Sequence, residues 1–100
     1  MTDLSALTVD DFAATVDTPY ALGAGGPETI ELVLRSATPG VATATGAPRE
    51  PFSLLFVGPA DPVLPQATYV LTHATLGELA IFLVPVGRDA ESVRYEAVFA

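Results

Sequence analysis

His73 is the only histidine of the chain, and cysteine and lysine are absent. Carboxylates, arginines and hydroxyls are the other groups left to move protons or charge. A lone imidazole without cysteine needs three carboxylates at tetrahedral geometry to hold zinc. As a general base it needs a nucleophile and an orienting acid within reach. Ser53 and Glu78 have suitable types, but nothing in their spacing brings them to His73. His73 therefore reads as a polar residue at a strand end, hydrogen-bonded or exposed. Asp10-Asp11 is a carboxylate pair, yet calcium loops need oxygen ligands at alternate positions and a glycine turn. Its neighbours are Val9 and Phe12, so helix capping accounts for both acids. Gly23-Ala24-Gly25-Gly26 lacks the lysine and the following helix of a phosphate loop and reads as a hairpin turn. No catalytic, metal-binding or cofactor-binding residue is expected, and an enzyme is not.

Residues suited to contact a partner form a different set. Tyr20 is a polar aromatic that can anchor an interface if it is partly exposed, although a core position is the default for all three tyrosines. Arg49 and Glu50 are a charged pair at the mouth of a long loop, where an exposed ion pair adds little stability. Asp61 is the charge inside a run with prolines at 59, 62 and 65. Arg94 and Glu96 point outward from the last strand. That strand's edge is a candidate for pairing with another chain.

The elements that must position these groups are short and mostly extended. Thr8-Val9-Asp10-Asp11 is a helix start, with Val9, Phe12, Ala13 and Val16 on one face and Pro19 as the stop. Tyr20–Leu22 and Glu28–Arg35 read as a hairpin. Ser36–Pro51 is built from Ala, Thr, Gly and Pro with one bulky residue, Val41, and reads as a long flexible loop. Phe52–Val57 is apolar on both faces, as in a covered strand. The prolines that follow withhold amides and make a rigid connector rather than a strand. Thr68–His73, Leu79–Val84 and Ser92–Phe99 form an antiparallel meander, the last with Val93, Tyr95, Ala97 and Phe99 inward. The fold expected is one all-β, mainly antiparallel domain. It is a small five- or six-stranded barrel or compact sandwich with one short N-terminal helix.

Charge and composition exclude several functions. The chain has 100 residues, half of them apolar, with 12 acids against four basic residues and a net charge of −8. Nucleic acid and anionic membranes demand a positive footprint that is missing. No basic start with an apolar stretch is present, and no segment nears a membrane-spanning length, so a cytoplasmic location is expected. A protein partner or self-assembly remains, including a basic partner met by an acidic inhibitor. A small-ligand barrel is the other alternative, opposed by the amount of apolar side chain available to fill it.

The segment REPFSLLFVGPADPVLPQATYVLTHATLGELAIFLVPVGRDAESVRYEAVF, Arg49 to Phe99, resembles a family of short, functionally uncharacterised bacterial domains. The shared pattern is a PFSL-F strand, then GP-DP-LPQ-TY-L-H, then LG-L-IFLVPVG, then YEA-F. The opening LTVDDFAATVDTPY resembles that family more loosely. Members of it often accompany phage-tail-collar-like fibre proteins. The resemblance implies a structural or assembly role and brings no catalytic residues.

Overall fold

A computed structural model describes residues 7–23, 29–39, 52–60 and 63–99. One helix, α1 (Val9–Ala13), precedes six strands: β1 (Pro19–Gly23), β2 (Thr29–Pro39), β3 (Phe52–Pro59), β4 (Ala67–His73), β5 (Gly77–Arg88) and β6 (Ser92–Phe99). The strands close into a barrel in the order β1-β2-β3-β6-β5-β4, every pairing antiparallel. Between barrel and sandwich, the barrel is what forms. The closing seam is short, with Ala21 opposite Thr72 and Leu22 opposite Leu71.

Alternation explains the wall. β3 buries Phe52, Leu54 and Phe56 and turns Ser53, Leu55 and Val57 outward, and β6 buries Val93, Tyr95, Ala97 and Phe99. The apolar run of β3 is thus a strand with a packed inner face and an apolar outer one. Leu22, Leu32, Leu34, Leu71, Leu79, Ile81 and Leu83 complete the interior. Gly58 holds an inward position, where a methyl group would strike the Leu32 side chain that fills the space. Each buried leucine or isoleucine contributes roughly 1.5–3 kcal/mol of transfer free energy.

Two bulges interrupt the ladders, and each pushes its extra residue outward. Leu34 pairs with Phe56 and Ser36 with Leu55, which leaves Arg35 as the added residue. Pro85 pairs with Tyr95 and Gly87 with Arg94, which leaves Val86. The second bulge also explains how β5 carries a proline and still continues to Arg88, beyond the end at Val84 that its apolar run suggests. Similarly, β2 runs through Ser36–Pro39 along β3, where the sequence reads as the start of a loop. Small residues there follow β3 past the bulge without bulky side chains to announce it. The rest of that expected loop, 40–51, lies outside the described residues. So do residues 24–28, which take in most of the expected Gly23–Gly26 turn and the first residue of the strand expected after it.

Both mouths of the barrel are stoppered. At one, the α1 residue Phe12 packs its ring 5.7 Å from Phe52 and 5.6 Å from Phe99, which stack on each other at 4.7 Å. The capping box is present, with the Asp11 carboxylate accepting the Thr8 amide at 2.8 Å. At the other, β3 must connect to β4, which lies on the far side of the ring by strand order. The proline-rich connector therefore crosses the opening. It buries Leu64, whose amide donates to the Tyr95 hydroxyl at 2.9 Å. Tyr69 bonds back to the Pro65 carbonyl and fixes the exit into β4.

Candidate interaction surfaces

With the interior occupied by side chains, the positions open to a partner are on the outer wall. Of the residues singled out from sequence, Tyr20 is corrected first. It is 0 % exposed. Its ring packs edge-on to Phe56, with centroids 5.1 Å apart, and it cannot anchor an interface. Burial raises its pKa, and the Thr15 hydrogen bond opposes that rise. Arg49, Glu50 and Asp61 lie outside the described residues. Arg94 and Glu96 do point outward, both half-buried. The expected free edge of the last strand is not there. β6 lies against β3 along its length and against β5 from Val93 to Glu96.

His73 takes part in a hydrogen-bonded network. It is buried at the end of β4 beside Tyr20, with ring centroids 4.6 Å apart. Its Nδ1 accepts the amides of Thr75 and Leu76 at 3.1 and 3.3 Å. The ring proton is thereby placed on Nε2, which donates to the Thr18 hydroxyl at 2.8 Å. The Thr18 hydroxyl donates in turn to the Thr15 carbonyl. Tyr20 donates to the Thr15 hydroxyl at 2.7 Å, and that hydroxyl donates to the Phe12 carbonyl at 2.7 Å. One polar network thus ties β4, β1 and α1 together, and both imidazole nitrogens are used in it. Burial lowers the His73 pKa. Among the described residues no group of three His, Cys, Asp or Glu is arranged to hold a metal ion.

Two features mark the outer wall. The first is a shallow groove of about 280 Å³ lined by Arg35, Leu55, Val57, Asp89, Ser92 and Arg94. The β2 bulge aims Arg35 into it. Arg94 reaches Asp89 at 3.6 Å, and its guanidinium lies over Gly87, where any larger residue would clash with it. Asp89 is held by the amides of Glu91 and Ser92, both at 2.8 Å. These bonds, with smaller help from the Ser92 hydroxyl and Arg94, lower its pKa.

The second feature is apolar. Val70 on β4, Phe82 and Val86 on β5 and Val98 on β6 stand 44, 49, 52 and 68 % exposed on the outer wall. Ala80, opposite Val70, and Val84, opposite Glu96, lie half-buried among them. This face was missed at the level of sequence because Leu79–Val84 looks apolar on both sides. A barrel strand has only one inside, so Phe82 in that run is left facing out.

No helix among the described residues is long and apolar enough to cross a membrane. No curated protein and no solved structure matches the chain. A family model does, that of a domain of unknown function, DUF6916, over residues 7–99. The chain, a closed six-stranded barrel with two stoppered mouths, belongs to that family.

Proposed function

We propose that this domain is a non-catalytic protein-interaction module that works from its outer wall. The observation that carries this reading is the exposure of Phe82, Val70, Val86 and Val98 on one side of a barrel whose interior is already filled. Contiguous apolar patches beyond roughly a few hundred Å² are uncommon on monomers and mark interaction sites. The engagement of both His73 nitrogens supports a structural role for the one imidazole. Against the small-ligand alternative, the groove of Arg35 and Arg94, at about 280 Å³, lies below the roughly 300–1,000 Å³ of ordinary ligand pockets. The narrower reading, an accessory or subunit of a fibre or phage-tail-like assembly, draws its support from the sequence pattern and the neighbours of its family.

The test is site-specific photo-crosslinking from position 82 in cells that make the protein. The expected result is one adduct of defined mass. Substituting Phe82→Ser in a chain that carries the crosslinker at position 98 should abolish it. An adduct that forms equally well after Phe82→Ser would refute the outer-wall reading.

A further inference from the structure

We propose that the outer face of β4, β5 and β6 docks a partner protein whose contact surface is apolar at its centre and basic at its rim. This rests on the interaction reading above and adds the chemistry of the occupant. Phe82 is the natural anchor, because it is a large, half-exposed aromatic amid aliphatic neighbours and aromatic residues, Phe included, are enriched at interfaces. Around it the pleat supplies short apolar residues: Ala80 and Val84 along the strand, and Val70 on β4, in the register pair next to Ala80. Thr68, directly opposite Phe82, and Thr72 add exposed hydroxyls without charge.

The charges around this face decide the partner. Glu78, opposite Thr72, and Glu96, opposite Val84, flank it. At its far end Arg88 and Arg94 stand with Asp89 and Glu91, and Arg94 is already paired with Asp89. Acids therefore outnumber bases around the patch, as they do in the chain, whose net charge is −8. A second copy would bring two such bodies together against their mutual repulsion, whereas a basic-rimmed surface is attracted and steered. Phe82 contributes apolar contact area, and Glu78 and Glu96 select for lysine or arginine around it.

The probe is a synthetic amphipathic helical peptide with a leucine face flanked by lysines, beside the same peptide with glutamates in the lysine positions. Each is titrated into the isotopically labelled protein at about physiological ionic strength and followed by amide NMR. Shifts should centre on Val70, Ala80, Phe82, Val84 and Val98. The lysine peptide should bind about tenfold or more tightly than the glutamate peptide. Phe82→Ser should lower its affinity by about tenfold with the remaining spectrum intact. Glu78→Lys with Glu96→Lys should reverse the preference. Equal binding of the two peptides, or of neither, overturns the proposal. Shifts centred on the groove of Arg35 and Arg94 also overturn it, while leaving an outer-wall interaction module standing. A concentration-dependent dimer of the free protein that Phe82→Ser abolishes assigns the face to a second copy and overturns the basic partner. If position 82 gives no partner-specific crosslink in cells, the interaction reading itself fails, whatever the peptides do.

Discussion

The two mouths of the barrel solve one problem with different means. The α1 mouth is closed by a local helix, three packed aromatic rings and a polar network running from His73 to Phe12. At the opposite mouth, among the described residues, Leu64 is buried and bonded to Tyr95, and Tyr69 bonds to the Pro65 carbonyl. The first stopper is redundant and contains a titratable group; the second rests, among the described residues, on Leu64 and the tyrosine hydrogen bonds beside it. With both closed, the free surface among the described residues is the outside.

Four experiments would break or sharpen that contrast. The largest effect is expected from Phe12→Ala, which removes the centre of the aromatic stopper. It should cost about 3–5 kcal/mol by urea denaturation, a large share of a small domain's stability. Leu64→Ala at the other mouth should cost about 2–3 kcal/mol, at the lower end for leucine because the site sits at a rim. Next, Tyr95→Phe leaves the buried Leu64 amide without its acceptor and should cost about 1–3 kcal/mol. The matching change Tyr20→Phe should cost less, about 1 kcal/mol, because it removes a donor from a hydroxyl that keeps its bond to the Phe12 carbonyl. Equal losses from the two tyrosines would remove the contrast between the two stoppers.

The smallest effect is a pH dependence confined to the α1 mouth. Burial holds the His73 pKa below its ordinary 6.5, so the unfolded chain takes up the proton first. The stability tied to this group is complete above about pH 6.5 and is lost as the pH falls from there toward the lowered value. The slope in that window is at most about 1.4 kcal/mol per pH unit. Protonation also sets Nδ1 against the two amides that donate to it. His73→Gln keeps an acceptor and a donor without titrating, and should flatten the slope above pH 5. Asp89 acts in a lower window. Its depressed pKa gives stability present above its ordinary 3.8 and lost as the pH falls through the folded value. A slope near neutral pH that survives His73→Gln would assign it elsewhere.

Much of the wall was legible because alternation is a local property. Val93, Tyr95, Ala97 and Phe99 face inward as read, and Thr8 with Asp11 starts the helix. The proline run is a connector between β3 and β4, though Asp61 and Pro62 lie outside the described residues. What sequence did not reveal is set by partners far along the chain. Ser36–Pro39 becomes strand because β3 lies beside it. Pro85 is admitted because a bulge follows it. Pairing of β6 with β3 on one side and β5 on the other takes up the edge expected to be free. Tyr20 is drawn inside by Thr15, Phe56 and His73, no two of which are close in sequence. Phe82 shows the same limit for the interaction surface. Its neighbours Ile81 and Leu83 are 1 and 0 % exposed, and composition alone cannot say which of the three faces out.

That adjacency gives the most direct test. In the proposed role, Phe82 serves contact and Leu83 serves stability. Equilibrium unfolding of Phe82→Ser and Leu83→Ala, measured side by side in urea, separates the two. Phe82→Ser should fall within about 0.5 kcal/mol of the parent, as surface changes do, and Leu83→Ala should lose about 2–5 kcal/mol. A loss of several kcal/mol from Phe82→Ser would contradict the account, because it would make that ring part of the core and leave the outer face without its anchor.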